Sequence, residues 1–182
     1  NKVPRQDFVP DDLRDVAYND GALPIKQGQT ISQPYIVAFM TQLLELDGSE
    51  RVLEVGTGSG YQAAVLAELA SEVYTIEIVP ELGKEAESIL NRAGYTNIEF
   101  RIGDGYEGWP EYAPFDRIIV TAAPEEIPQP LIDQLKENGI LVCPVGSMSQ
   151  DLILLKKEAG GITRRSTLQV RFVPMTGKAL DE

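Results

Sequence analysis

The chain has 182 residues, of which 43% are hydrophobic and 24% charged, and its formal net charge is −12. This balance favours a folded protein with one sizeable core over a disordered chain. The negative charge counts against nucleic-acid binding, because such proteins need a basic surface that neutralises phosphates. No apolar run approaches the roughly 20 residues that a membrane span needs. We therefore expect neither a nucleic-acid nor a membrane partner.

Two residue types limit the chemistry and the compartment. Histidine is absent and Cys143 is the single cysteine, so the chain lacks the commonest general base and most zinc ligands, and we predict no metal site. One cysteine cannot form an internal disulfide, which suits a reducing compartment. Residues 1–15 are polar and do not resemble a signal peptide, so we predict a cytoplasmic protein. Cys143 lies in an apolar run and is interpreted as a buried side chain.

The first 50 residues contain one amphipathic segment after an irregular stretch. Turn-forming residues recur between Phe8 and Pro24. Apolar residues at helical spacing predict a helix over Tyr35–Leu46, with Ser32 as its N-cap and Pro34 in its first turn. Residues 29–32 should then form a loop that ends at the N-terminus of a helix.

Strands and helices alternate from residue 51 onward. This alternation predicts a doubly wound α/β fold, a mostly parallel sheet with helices on both faces. Two final strands without a helix between them predict an antiparallel edge, which brings the sheet to seven strands. The predicted elements are strand Arg51–Val55, helix Tyr61–Leu69, strand Val73–Ile76, helix Glu81–Ala93, strands Ile98–Ile102 and Arg117–Thr121, helix Gln129–Glu137, and strands Ile140–Val145, Asp151–Lys156 and Thr167–Val173.

Glycine spacing marks a candidate ligand site between the first strand and the first helix of this sheet. In doubly wound sheets nucleotides bind at this crevice, and glycines let the backbone approach a ligand closely. The spacing is G-x-G-x-G rather than the G-x-G-x-x-G of dinucleotide folds, which counts against a nicotinamide-dependent oxidoreductase. The residues concerned are Gly56, Thr57, Gly58, Ser59 and Gly60.

Three acidic residues are predicted at the carboxyl ends of successive strands: Glu54, Glu77 and Asp104. Glu77 can accept hydrogen bonds from both hydroxyls of a ribose. Asp104, followed by Gly105, can bind an adenine amino group, and Glu54 can accept from other donors on the ligand. Each acid alone is more simply a solvated strand end. Together with the glycines they favour a nucleoside site.

Several separated stretches resemble the protein-L-isoaspartate O-methyltransferase family. The glycine loop is common to many methyltransferases, whereas the stretches over residues 29–34 and 170–174 are specific to this family. The resemblance covers nearly the whole chain and implies a Rossmann-like S-adenosylmethionine methyltransferase fold. The matching stretches are residues 22–25, 28–34, 53–62, 103–105, 114–116, 118–124, 144–146 and 170–174.

The resemblance also implies how the chain is organised. We expect a single methyltransferase domain over residues 1–182. Within it, residues 1–50 form a substrate-side segment, residues 51–145 form the donor-binding core, and residues 146–182 form the last strands and a substrate-side tail. Family members usually begin with a further helix before the stretch that corresponds to Val3-Pro4-Arg5, so we expect this sequence to be a truncated form.

The activity implied by the resemblance is methyl transfer from S-adenosylmethionine to the α-carboxylate of L-isoaspartyl residues in damaged proteins. The product S-adenosylhomocysteine is released, and repair proceeds through a succinimide. A carboxylate with a pKa near ~4 is already ionised at neutral pH, so a histidine-free site suffices. The resemblance implies Ser32 as the active-site residue that aims this carboxylate. No base is at hand to make Ser32 a covalent nucleophile, and a plain helix cap is its alternative role.

The resemblance assigns further residues to the two substrates. Gln29, Thr30 and Ile31 should line the reactive end of the donor together with Ser32, and Thr176 matches a donor-contacting position. Val170 and Arg171 fall on the substrate side. Arg171 can counter the charge of an acidic substrate in a protein of net charge −12, although a lone strand arginine is more often simply exposed.

Two other functions stay open at this point. A methyltransferase that acts on a small molecule would share every feature of the glycine loop. A non-catalytic Rossmann-like module would bind a nucleoside and transfer nothing. For all three functions we expect a monomer.

Overall fold

The computed structural model describes residues 2–180. No helix within that range is long and apolar enough to cross a membrane. The α-helices are α1 (Pro34–Leu43), α2 (Tyr61–Ala67), α3 (Pro80–Arg92) and α4 (Gln129–Gln134). The strands are β1 (Leu23–Pro24), β2 (Thr30–Ile31), β3 (Arg51–Val55), β4 (Glu72–Glu77), β5 (Ile98–Ile102), β6 (Phe115–Val120), β7 (Leu135–Val145), β8 (Gln150–Glu158) and β9 (Gly161–Val170).

Seven of these strands form one sheet in the order β5-β4-β3-β6-β7-β8-β9. The pairs from β5 to β7 are parallel, and the pairs β7–β8 and β8–β9 are antiparallel. The predicted α/β sheet with an antiparallel edge is therefore confirmed. Because β4 lies on one side of β3 and β6 on the other, the strand order reverses at β3. In open α/β sheets ligands bind at such a point, outside the carboxyl ends of the strands.

Apolar side chains cover both faces of the sheet. Leu53 and Ile118 belong to one buried cluster, which also contains Leu131 of α4. Val52 and Ile119, their neighbours in the chain, belong to the cluster on the other face, which includes residues of α1 and α2. A strand buried on both faces reads as a continuous apolar run, which is why β3 and β6 were recognisable from sequence. Cys143 is fully buried on this sheet, as predicted.

Several predicted boundaries are wrong. α1 ends at Leu43 and α2 at Ala67, before the predicted ends at Leu46 and Leu69. The N-cap of α1 is Gln33 without a side-chain cap, so Ser32 does not cap this helix, whereas Pro34 does occupy its first turn. Residues 135–137 are not helical but begin β7, because Leu135 pairs with Phe115 and is buried. The strand predicted at residues 167–173 is Gly161–Val170, since the turn at residues 159–160 is tight enough for pairing to begin at once.

Candidate active site

A cleft opens at the carboxyl ends of β3, β4 and β6, where the strand order reverses. It contains about 850 Å³ of space outside the protein atoms, part of which is open to solvent. Its walls come from distant parts of the chain. Those of the predicted donor-binding residues that line it are Gln29, Thr30, Ile31, Ser32, Gly56, Thr57, Gly58, Ser59, Glu77, Gly105 and Thr176.

The glycine loop is shaped by packing against the protein itself. Gly56 has φ +100°, and a Cβ there would overlap the Thr121 hydroxyl. Gly60 has φ +85° and begins α2, but it does not line the cleft. Its Cβ would lie 3.0 Å from Leu90 of α3. We expected these glycines to make room for a ligand. At these two positions they instead make room for neighbouring side chains and allow a positive φ.

Glu77 is the acid that faces the cleft. Its side chain is buried, and each carboxylate oxygen accepts one backbone N–H, from Gly58 at 2.7 Å and from Val79 at 2.9 Å. These bonds fix the carboxylate against the glycine loop. A carboxylate has about four acceptor sites in all, so Glu77 retains capacity for two hydroxyl donors from a ligand.

Glu54 lies behind the glycine loop and does not line the cleft. Its side chain is fully buried; Oε2 accepts the Thr75 hydroxyl at 2.6 Å, and Oε1 has no partner within the described residues. The Thr75 hydroxyl is also 2.6 Å from that of Thr57, which does line the cleft. Burial raises the pKa of Glu54 to about 8, outweighing the hydrogen bond from Thr75. The protonated form therefore prevails near neutral pH.

Asp104 anchors the C-terminal segment. Its Oδ1 accepts the Tyr106 N–H at 2.9 Å, and its Oδ2 accepts the Lys178 N–H at 2.8 Å. Asp104 does not line the cleft, although Gly105 does. Of the three acids predicted at strand ends, only Glu77 therefore faces the space where a ligand fits.

A second groove adjoins the cleft on the side of α1 and the C-terminal tail. Four residues line both spaces, namely Thr30, Ser32, Thr121 and Val173. The two spaces therefore meet at Ser32, as its predicted role requires. The other lining residues of the groove, which include the predicted Val170 and Arg171, are Ala22, Gln33, Ile36, Gln169, Val170, Arg171 and Phe172.

The tail after β9 forms a wall that the two spaces share. Ala123 holds it by two backbone hydrogen bonds, donating to Val173 C=O at 2.8 Å and accepting from Met175 N–H at 2.8 Å. These bonds place Thr176 at the cleft and leave Arg171 exposed at the groove. No ion pair holds the Arg171 side chain within residues 2–180, so it is available to an acidic ligand.

Sequence reasoning missed several residues of the cleft. Thr121 follows the end of β6, and its hydroxyl donates to the carbonyls of Val55 at 3.0 Å and Gly56 at 2.6 Å. Thr121 could have been found from sequence in the same way as Glu77, as a polar residue at the end of a strand. Ile78 follows Glu77 and stays 37% exposed despite its size, and an apolar residue directly after a strand-end acid offers a surface for a flat base.

The sequence was compared with models of known protein families. The sequence profile of protein-L-isoaspartate (D-aspartate) O-methyltransferase matches residues 1–180. The chain belongs to this family. A protein-L-isoaspartate O-methyltransferase of Gloeobacter violaceus is 57% identical over 177 residues, which are 96% of this chain and 86% of the relative. One from Picosynechococcus is 54% identical over 97% of this chain and 79% of the relative.

Solved structures agree with the family assignment. A protein-L-isoaspartate O-methyltransferase superposes with a TM-score of 0.88 at 32% identity; the match covers 97% of this chain and 59% of that chain. A Plasmodium falciparum protein assigned as a β-aspartate methyltransferase, in complex with S-adenosyl-L-homocysteine, superposes with a TM-score of 0.84 at 26% identity, over 96% of this chain and 87% of that chain. The predicted family is thus confirmed, and with it an S-adenosylmethionine-dependent protein carboxyl methyltransferase.

Proposed function

We propose that the cleft binds S-adenosylmethionine, that the groove binds a peptide segment with an L-isoaspartyl residue, and that the methyl group passes to its α-carboxylate beside Ser32. One observation carries this proposal. Ser32, Thr30, Thr121 and Val173 line both spaces, so a donor in one and an acceptor in the other meet at these residues. Bringing two reactants together in this way accounts for a large part of catalysis.

The residues of the cleft suit this donor. Glu77 offers acceptor sites for ribose hydroxyls beside the glycine loop, and Ile78 offers an apolar surface for the adenine ring. Gln29 and Ile31 line the cleft, and Thr30 between them lines both the cleft and the groove. The donor supplies a methyl group on a positively charged sulfur, which is a good leaving group.

The side chains near the meeting point have only to bind and orient. An isoaspartyl carboxylate is ionised at neutral pH and needs no general base. The Ser32 hydroxyl donates a hydrogen bond to one of its oxygens and so aims the other at the methyl carbon. The groove-facing Arg171 attracts the negative charge of the acceptor. With histidine absent from the sequence, no imidazole activates Ser32, which acts by hydrogen bonding and not as a nucleophile.

The steps after methyl transfer belong to the product. The backbone nitrogen that follows the damaged residue attacks the methyl ester carbonyl; the C–O bond breaks, methanol leaves with the proton of that nitrogen, and a succinimide forms. Water then opens the ring, and part of the product is a normal aspartyl residue. This sequence needs no further group on the enzyme, which is consistent with a site that holds only binding and orienting residues.

The experiment that tests the proposal compares two peptides that differ only in the aspartyl linkage. With S-adenosylmethionine labelled in its methyl group, label should enter the isoaspartyl peptide as a base-labile ester and not its normal aspartyl twin. Label in neither peptide, with turnover on a small carboxylate, would support a small-molecule methyltransferase instead. Tight donor binding without transfer to any acceptor would support a non-catalytic module.

The remaining assignments stay predictions from the sequence. We propose a monomer of one domain in the cytoplasm, with damaged proteins as its partners and neither nucleic acid nor membrane among them. Sedimentation of the purified chain, with and without peptide, measures the oligomeric state. A stable dimer would contradict the proposed monomer.

A further inference from the structure

The side chain of Gln150 holds the backbone of Phe172. Its Oε1 accepts the Phe172 N–H at 2.6 Å, and its Nε2 donates to the Phe172 C=O at 3.1 Å. Gln150 is buried, with 7% of its surface exposed. Because an amide has one accepting and one donating end, these two partners fix its orientation as well as its position.

The Gln150 side chain bonds to backbone just past the end of the β8–β9 ladder. The ladder between β8 and β9 ends where Gln150 pairs with Val170. Ahead of Gln150 the chain turns away at Gly146, which has φ +119° and whose Cβ would overlap the Ser149 carbonyl. Residues 146–149 form the turn between β7 and β8, so the β8–β9 ladder ends at Val170. The amide of Gln150 supplies the same donor and acceptor pattern at Phe172.

The residues on either side of Phe172 differ in what else holds them. Val173 and Met175 are bonded to Ala123, so the tail residues that line the donor cleft have support of their own. Arg171 and Phe172 line the groove but not the cleft, and neither hydrogen-bonds to Ala123. Gln150 thus supports the stretch that faces the acceptor, and its contribution to the donor cleft is indirect.

We propose that Gln150 is a positioning residue for the acceptor: by fixing Phe172 it sets where Arg171 and Phe172 stand at the groove. Gln150 itself touches neither space. The inference rests on the proposed function, since it assigns the groove to the isoaspartyl peptide. It predicts that loss of the amide affects acceptor binding selectively.

The chain offers a matched control in Gln134. This glutamine is also buried, with 9% of its surface exposed, and its amide also holds backbone, accepting from Trp109 N–H at 2.7 Å and donating to Glu107 C=O at 2.7 Å. Neither of these partners lines the cleft or the groove. Gln134→Met therefore removes a similar clamp from backbone that lines neither space.

The test compares steady-state kinetics of the wild type, Gln150→Met and Gln134→Met on the isoaspartyl peptide. For Gln150→Met we expect the peptide KM to rise about tenfold, because binding must then also order groove residues that the amide holds in place in the wild type. The KM for S-adenosylmethionine should stay within about twofold of the wild type. For Gln134→Met neither KM should change by more than that, although thermal stability should fall in both variants.

Equal rises of both KM values in Gln150→Met, or the same peptide KM effect in Gln134→Met, would show general loosening and overturn the proposal. If Gln150→Met does not fold, amide hydrogen exchange of the wild type gives a second measurement. The Phe172 N–H should be protected like the amides of the β8–β9 ladder, and rapid exchange would contradict the clamp. Absence of methyl transfer by the wild type would instead refute the proposed function. The clamp at Phe172 would then be tested by amide exchange alone.

Discussion

The cleft proposed for the donor and the groove proposed for the acceptor meet at Ser32, but they are built in different ways. Much of the cleft is formed by segments that directly follow β3, β4 and β6, and residues 29–32 and 173–176 complete it. The groove combines residues 22–36, Thr121 and residues 169–173. Turns at strand ends thus supply a large part of the cleft, whereas the groove takes most of its residues from the N-terminal segment, the last strand and the tail.

Two acidic residues at the ends of neighbouring strands differ in what they face. Glu77 is the last residue of β4 and Glu54 is the last but one of the neighbouring β3, but the first faces the cleft and the second lies behind it. Side chains alternate between the two faces along a strand, and Glu54 lies one residue further from the end of its strand than Glu77 does. The two carboxylates therefore point to different sides. Substitutions at the two positions should therefore have unlike effects.

The largest expected effect concerns Glu54 and stability. Burial raises the pKa of Glu54 to about 8 from a usual value of 4.5, so the folded protein holds a proton that the unfolded chain releases. The contribution of Glu54 to the free energy of unfolding is therefore fully present below its pKa in the unfolded chain. This contribution falls as pH rises toward its pKa in the folded protein, by at most about 1.4 kcal/mol per pH unit. Denaturant unfolding between about pH 5 and pH 8 measures this slope.

Glu54→Gln should remove that part of the slope, because glutamine does not titrate. Glu99→Gln, which changes an exposed side chain on β5 of the same sheet, serves as the control and should keep the slope of the wild type. An identical slope in the wild type and in Glu54→Gln would mean that Glu54 is ionised in the folded protein.

A smaller effect is expected for Glu77 on donor binding. Glu77→Ala should weaken S-adenosylhomocysteine binding about 10- to 100-fold, the loss of charge-assisted hydrogen bonds to a ribose. The peptide KM should change little. Calorimetry measures the affinity, and Glu81→Ala on the exposed side of α3 is the control. Unaltered affinity would place the ribose elsewhere.

The smallest effect is expected for Arg171 on the acceptor side. Arg171→Ala should raise the peptide KM about three- to tenfold and leave donor affinity unchanged, because an exposed charge contributes modestly. The difference between wild type and variant should shrink as salt is added. Arg164→Ala, another exposed arginine on β9 that does not line the groove, should behave as the wild type; an equal effect there would indicate only a general loss of positive charge.

The sequence predicted the sheet because its strands are buried on both faces and its helices follow at regular intervals. Glu77, predicted from its place at the end of a strand beside the glycine loop, does line the cleft, and its binding of a ribose stays a prediction. The sequence could not separate Glu77 from Glu54 or Asp104, because burial and backbone partners decide which carboxylate faces the cleft. The role of Gln150 was invisible too, because its partner lies 22 residues away across a sheet edge.

The most direct test of the account is the single-turnover rate of Ser32→Ala with both substrates saturating, measured beside its affinity for S-adenosylhomocysteine. The rate should fall about 100-fold, since a misplaced acceptor loses alignment with the methyl carbon, while the affinity stays within about twofold of the wild type. Ser88→Ala, on the exposed face of α3, should match the wild type in both. An unchanged rate in Ser32→Ala would show that the donor and the acceptor do not meet at this hydroxyl.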